Sequence, residues 1–215
     1  MALAVNEIFY SIQGESTYAG WPCIFVRLSG CNLRCSYCDT QYAYDEGEGM
    51  AIPDILNRLQ LIDCGLVEVT GGEPLIQEET PELITRLIDH GYRVLLETNG
   101  SQDISRVDNR CIKIVDFKCP SSGESDSNDL TNVERLTEQD EVKCVIADRE
   151  DYIFAREIAR RTLCGCSRAN TIHFSPVFGL LEPKQLTEWI LEDRLRVRLN
   201  LQLQKIIWSP DRRGV

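Results

Sequence analysis

The sequence predicts an α/β fold of parallel βα units, and two observations carry that prediction. Short runs rich in Val and Ile recur roughly every 20 to 40 residues, with longer helix-like stretches between them. The most unusual residues stand directly after those runs, as they do where a parallel α/β sheet assembles its site at the C-terminal ends of the strands.

Along the chain, the first strand is expected over 23–28, "CIFVRL", an apolar run broken only by Arg27. A helix over 52–62 leads to a strand over 66–70. Pro81 suits the first turn of a helix over 80–90, which leads to a strand over 93–98. Strands follow at 112–117 and 141–147, then a helix over 150–161 and a strand over 171–175. Pro183 opens a helix over 183–191, and a last strand is expected over 197–203. The stretch 120–132, "PSSGESDSNDLTN", is polar and reads as a long, mobile loop. No repeat and no domain boundary shows, so residues 1–215 are expected to form a single domain.

Composition narrows the function classes. The chain has 215 residues, 43% hydrophobic and 27% charged, which suits a soluble globular protein with a sizeable core. No stretch approaches the roughly 18 to 20 apolar residues of a membrane span. The N-terminus lacks a basic region followed by an apolar core, so no secretory signal is expected. The ten cysteines are accordingly placed in a reducing cytoplasm, as metal ligands or small buried hydrophobes. A net charge of −11 argues against a nucleic-acid partner. Arg194, Arg196 and Arg198 alternate with Leu195, Val197 and Leu199 and read as the polar face of a strand.

The chemistry begins at "CNLRCSYCDTQY", residues 31–42, where Cys31, Cys35 and Cys38 are spaced C-x3-C-x2-C. Scattered buried thiols would not need such close spacing. A structural zinc site wants a fourth ligand, and His90 and His173 are distant in sequence. A four-cysteine electron-transfer cluster would have to recruit Cys23, Cys64, Cys119 or the Cys164–Cys166 pair, none at a telling spacing. The remaining reading is a [4Fe–4S] cluster on three cysteines, with one iron open to an external chelating molecule. Four further strand ends carry marked segments: "TGGEP" at 70–74, "ETNG" at 97–100, "DFKCP" at 116–120 and "SPVFG" at 175–179. Five strand ends would then converge on one cavity. Gly71 and Gly72 let backbone approach a ligand closely, and Glu73 offers a negative acceptor.

The cysteine triad with Tyr37 before its last member, together with "GGEP", resembles the radical S-adenosylmethionine (SAM) superfamily. The stretch 7–40 is more specific. With "EVTGGEP", "LLETNGS", "DFKCPSSG", "SPVFG" and "LQLQKIIW", it is similar to the family of 7-carboxy-7-deazaguanine synthases of queuosine and 7-deazapurine biosynthesis. The resemblance implies an incomplete TIM-like barrel with a radical SAM core. It implies a carbon–nitrogen lyase that takes 6-carboxy-5,6,7,8-tetrahydropterin to 7-carboxy-7-deazaguanine. The adenosyl radical would remove a hydrogen, the ring would contract, ammonia would leave and SAM would be re-formed. Implied cofactors are the [4Fe–4S] cluster, SAM and Mg2+. Implied partners are a reductant such as flavodoxin or ferredoxin and a second copy of the chain, in the cytoplasm.

Roles follow from the resemblance position by position. Cys31, Cys35 and Cys38 would hold the cluster, and Thr40 would contact magnesium through a hard hydroxyl oxygen. Ile12, Gln13, Gly14, Arg27 and Thr70 would meet the substrate, Arg27 at its carboxylate. Gly72, Tyr37, Cys38, Asp39, Asp116, Phe117, Lys118, Ser175, Pro176, Val177 and Phe178 would line the SAM pocket, with Glu97 and Asn99 near SAM as well. Two positions depart from the family pattern. Ser16 stands where relatives have glycine, a change expected to be harmless. Gln204 stands where the late motif has histidine, which removes a titratable group. Two other classes stay in view: a radical SAM activase acting on a protein, and a non-catalytic iron–sulfur electron carrier.

Overall fold

A computed structural model describes residues 2–164 and 171–215. Among the described residues nine strands make one sheet: β1 (Ala2–Ile12), β2 (Pro22–Leu28), β3 (Glu48–Ala51), β4 (Leu66–Gly71), β5 (Arg93–Thr98), β6 (Ile112–Asp116), β7 (Glu141–Ile146), β8 (Thr171–Pro176) and β9 (Arg198–Leu199). Their order is β3-β1-β2-β4-β5-β6-β7-β8-β9. From β2 onward every pairing is parallel, while β1 and β3 add an antiparallel flap on one side. The two outermost strands do not meet among the described residues, so the sheet is the open, partial barrel that the sequence implies.

Alternation divides each strand between two faces. Ile24, Val26 and Leu28 of β2, Val67 and Val69 of β4, and Val94 and Leu96 of β5 join the main core. There they meet Ile55 and Leu59 of α1 (Ile52–Leu59) and Leu83, Ile84 and Leu87 of α2 (Thr80–Asp89). The opposite face carries Phe25, Arg27, Glu68, Thr70, Leu95 and Glu97, and it is this concave face that builds the site. Pro81 and Pro183 sit in the first turns of α2 and of α5 (Pro183–Glu192), as expected.

Three expectations need correction. The N-terminal strands β1 and β3 were not foreseen, because their apolar residues alternate with polar ones and lack the Val/Ile density of the parallel strands. The strand expected over 197–203 shrinks to Arg198–Leu199, after which the chain turns into α6 (Leu203–Ile207). Asn200 is drawn to Ser175 Oγ at 2.9 Å, and Leu203 N donates to the Gly14 carbonyl at 3.0 Å, which takes the chain off the sheet edge. Arg194 adopts φ 51°, so Arg194, Arg196 and Arg198 share no strand face.

The polar stretch 120–132 is tied down rather than loose. It forms two 3-10 turns and runs into α3 (Asn132–Arg135). Asn128 clamps Lys118 from both sides, accepting from its N–H at 2.8 Å and donating to its carbonyl at 2.9 Å. The Ser, Asn and Asp side chains that suggest solvation close these turns instead. At the far end of the sequence's second helix pair, α4 (Arg149–Cys164) reaches the boundary of the described residues. The Cys164 side chain and Cys166 lie outside them.

Residues 13–21 plug the concave side. Gln13 N donates to Trp21 O and Gly20 N to Gln13 O, both at 2.8 Å. Thr17 N reaches Glu141 Oε2 at 3.1 Å, and Glu141 in turn contacts His173 Nε2 at 2.6 Å. Ser16 has φ 64°, a region that favours glycine. Its side chain recovers part of the strain by accepting from Tyr18 N at 3.1 Å.

The start of β6 is pinned by Asp140, which is fully buried. It accepts from Lys113 N at 2.8 Å and from Thr137 N and Oγ1 at 2.7 and 2.9 Å, with Lys113 Nζ 3.1 Å away. Asp140→Ala leaves a buried ammonium and three donors without their acceptor. It should cost about 3–5 kcal/mol, read as a lower urea midpoint at unchanged slope.

Candidate functional site

The cysteine loop starts where β2 ends. Gly30 turns the chain at φ 91° and donates to Ala43 O at 2.8 Å. Cys31, Cys35 and Cys38 follow, all half-buried. The loop is held from outside by the polar stretch after β6. Ser36 N and Oγ donate to Ser122 O at 3.0 Å and Ser121 O at 2.7 Å, and Arg34 N donates to Glu124 Oε1 at 2.7 Å.

The end of β4 packs against the same loop. Gly72 N donates to Leu28 O at 3.2 Å and Glu73 N to Gly30 O at 2.8 Å. A Cβ on Gly72 would run into the Gly30 carbonyl and lie 2.7 Å from Cys31 Cβ. This glycine therefore answers a close approach of chain to chain. Glu73 is fully buried and does not border the cavity. Its carboxyl accepts from Leu75 N at 2.9 Å, Thr98 Oγ1 at 2.8 Å and Asn99 N at 2.6 Å. Burial pushes this carboxyl above its ordinary value, against those donors. Glu73, expected to offer a negative acceptor, clasps β5 to β4 through these three bonds.

A cavity of about 810 Å³ opens here, bordered by the ends of β2, β4, β5, β6 and the segment after β8. Ile12, Gln13, Gly14, Arg27 and Thr70, expected at the substrate, all border it. So do Tyr37, Cys38, Asp39, Thr40, Gly72, Asp116, Lys118, Val177, Phe178, Glu97 and Asn99. Phe117, Ser175 and Pro176 do not. The Phe117 ring lies in the main core, Ser175 is buried against Asn200, and Pro176 pairs with Ile146 at the end of β8. Gln13 borders the cavity with its amide already engaged, donating to Glu68 and accepting from Glu15 N at 2.7 Å.

Charges on the concave face pair closely. Lys143 Nζ meets Glu15 at 3.1 Å and also Glu97. Burial alone would lower Lys143, but Glu15 and Glu97 outweigh it and hold the ammonium. Burial likewise would raise Glu15, but Lys143 and Gln202 keep it below its ordinary value. Lys118 Nζ meets Asp116 Oδ2 at 2.7 Å, leaving Asp116 Oδ1 buried with no partner. Arg27 Nε donates to Glu7 at 2.8 Å, with Tyr42 Oη on the same Glu7 oxygen at 3.0 Å. Lys205 Nζ binds Asp39 at 2.6 Å across the mouth and, outweighing burial, helps lower the Asp39 carboxyl to about 2. Gln204 lies over Gly14, its Nε2 3.3 Å from Glu15 and its Oε1 buried without a partner. Residues 209–215 border the same mouth, where the Arg213 guanidinium stacks 3.9 Å over Tyr42 and reaches Glu46 at 3.1 Å.

The thiol set fits an iron–sulfur cluster better than a single ion. Among the described residues no three His, Cys, Asp or Glu side chains converge on one metal position. Thiolates of a cluster each take a separate iron, so they need not converge. Cys31 Sγ accepts from Leu33 N at 3.4 Å, the kind of N–H···S contact that tunes such sites. Burial pushes the Cys31 and Cys35 thiols up, so iron has to displace the proton. Cys23, Cys64 and Cys119 do not border the cavity.

Residues 25–112 match the model of the radical SAM superfamily. A relative from Chlorobaculum tepidum, named 7-carboxy-7-deazaguanine synthase, is 50% identical over 99% of this chain and 97% of its own length. One of the same name from Koribacter versatilis is 45% identical over 99% of this chain and all of its own. The chain belongs to the 7-carboxy-7-deazaguanine synthase family. The synthase family's fold is seen again in the crystal structure of QueE from Escherichia coli, which superposes with a TM-score of 0.78 at 24% identity over 94% of both chains. SuiB from Streptococcus suis shares the fold more distantly, with a TM-score of 0.57 over 80% of this chain and 47% of its own.

Sequence reasoning missed Glu15, Glu68 and Lys143 among the cavity residues of this synthase-family chain, and left Gln202 and the 209–215 tail without an assigned role. Glu68 in "LVEVT" and Lys143 in "EVKCVI" did carry a signal, a lone charge inside an apolar strand. Replacing the clasp by Glu73→Ala should cost about 3 kcal/mol in the cluster-free protein and speed amide exchange at Asn99. An unchanged exchange rate at Asn99 would remove the clasp from the account.

Proposed function

We propose that the chain converts 6-carboxy-5,6,7,8-tetrahydropterin to 7-carboxy-7-deazaguanine, with ring contraction and loss of ammonia. The observation that carries this is one cavity bordered by three half-buried cysteines, by the glycine end of β4 and by Arg27. Full-length relatives of that name support the reading.

Cys31, Cys35 and Cys38 would hold a [4Fe–4S] cluster with one iron left for SAM. Bound there, cluster and SAM supply one-electron chemistry that no side chain of this chain offers. The chain's own residues orient and shield. Gly72, Tyr37, Asp39, Val177 and Phe178 would wall the SAM side, and the unpartnered Asp116 Oδ1 is an acceptor for a ligand donor there. Glu7 fixes Arg27 by its Nε, and the terminal guanidinium nitrogens, without a hydrogen-bond partner among the described residues, would take the substrate carboxylate. Among the described residues Thr40 Oγ1 has only Asp39 as partner, at 3.1 Å, which leaves it lone-pair capacity for magnesium; that ion keeps most of its other oxygens from water and substrate. The reading includes a flavodoxin- or ferredoxin-type reductant, a homodimer, cytoplasmic location and action of residues 1–215 as a single domain, all on the strength of the family resemblance.

The test is anaerobic turnover of the carboxy-tetrahydropterin with SAM and a reductant, read by mass spectrometry. Reconstituted protein should carry about four irons per chain. Cys35→Ala should lose both iron and product, while Cys64→Ala keeps both. Normal turnover by Cys35→Ala would end the proposal. Chelating magnesium should slow turnover with the iron content unchanged, and Thr40→Val should lose the response to added magnesium while still binding SAM. Turnover indifferent to both would remove the metal from the mechanism.

A further inference from the structure

Two guanidiniums share one aromatic ring at the cavity mouth. Tyr42 lies in the turn just after the cysteine loop. Arg213 sits 3.9 Å from the centroid of its ring, and Arg27 sits 5.8 Å from the same centroid. All three residues border the cavity. At 3.9 Å the planar guanidinium of Arg213 is a direct stack on the ring. Arg213 Nη1 also reaches Glu46 Oε2 at 3.1 Å. Both side chains of that pair are more than half exposed, and such a pair alone holds little. Ring and carboxylate together fix the guanidinium, and Gly214 then passes beside Glu7.

Tyr42 is also the link to Arg27. Its Oη donates to Glu7 Oε1 at 3.0 Å, and the same oxygen accepts from Arg27 Nε at 2.8 Å. Burial, with the charge of Glu7, raises the Tyr42 phenol to about 12 against the pull of both guanidiniums, so it stays a donor. The loop behind the ring is fastened to the sheet. Asn6 Nδ2 donates to Glu46 O at 2.8 Å, and Ser29 Oγ donates to the same carbonyl. With the backbone held there, rotation of the ring about its side-chain bonds is the freedom that remains, and Arg213 restrains it. We propose that Arg213 is a positioning residue for the substrate carboxylate. By holding the Tyr42 ring it keeps Oη on Glu7, and so keeps the guanidinium fork of Arg27 in one orientation. This assignment rests on the pterin reading given above. A two-donor contact to a carboxylate tolerates little rotation of the fork, so Arg213 acts without touching substrate. Its neighbour Arg212 borders the same mouth with no side-chain partner among the described residues, and so brings the same charge without the coupling.

The experiment is anaerobic calorimetry on cluster-loaded, SAM-bound protein with two probes, 6-carboxy-5,6,7,8-tetrahydropterin and the tetrahydropterin that lacks the carboxyl group. Wild type should prefer the carboxylated probe. Arg213→Ala should cut that preference about 3- to 10-fold and bind the other probe as wild type does. Tyr42→Phe keeps the ring, loses the hydroxyl and should cut the preference alike. The double variant should lose no more than either single one, because both changes break one chain of contacts. Additive losses overturn the assignment by making Arg213 an independent contact. An equal loss in Arg212→Ala overturns it by reducing the effect to charge, and equal weakening of both probes overturns it by reducing Arg213 to a structural part. A second readout needs no substrate. In nitrogen-15 NMR of the loaded protein, the Arg27 Nε–H should exchange faster in Arg213→Ala than in wild type. If that rate is unchanged while wild type binds the pterin, only Arg213 is misassigned. If wild type binds neither probe, the pterin reading fails and this assignment goes with it.

Discussion

One buried carboxylate sets the geometry at the open end of the sheet. Glu73 accepts three hydrogen bonds from Leu75, Thr98 and Asn99, and its own N–H is spent on Gly30. In a dry environment a charged acceptor with that many donors has few alternative positions, since each lost bond exposes a desolvated group. The ends of β4 and β5 and the start of the cysteine loop are therefore fixed relative to one another by a residue that does not border the cavity. An exposed pair such as Lys184 and Glu188, 3.9 Å apart, contributes about 0–1 kcal/mol and constrains nothing comparable.

The two faces of the sheet solve different problems. The outer face is continuous hydrocarbon against helices. The concave face gathers Glu7, Glu15, Glu68, Glu97 and Asp116 against Arg27, Lys118 and Lys143. Every cation there is already paired, so the surplus is acidic. Glu68 is the acid without a cation among the described residues, and burial first, then the charge of Glu97, displaces it upward. A chain with net charge −11 still presents fixed, oriented cations at the few places where an anionic ligand would need them.

Much of this was legible in the sequence, for a definite reason. The parallel strands from β4 to β8 are buried on both faces, so they read as short apolar runs broken only by single polar residues such as Glu68, Lys113 and Lys143, and leave little ambiguity. The segments that follow them are local in sequence, and nearly all reach the cavity. What stayed hidden depends on contacts distant in sequence. β1 is a strand because β2 pairs with it, and α6 leaves the sheet because Gly14 and Asn200 draw it away. The clasp that Glu73 makes stayed hidden because nothing in "GGEP" reveals that Thr98 and Asn99 reach back to it. The serines and asparagines of 120–132 suggested looseness, since composition cannot distinguish a side chain that bonds water from one that closes a turn.

The tail has a practical bearing on handling the molecule. Residues 209–215 border the entrance to the cavity, with Arg213 laid on the Tyr42 ring. Any sequence appended after Val215 starts at that entrance. An affinity tag there competes with whatever enters, whereas one placed before Ala2 extends from the β1 end that pairs with the edge strand β3. The choice of terminus for immobilising or labelling the protein is thus itself a perturbation of the entry path.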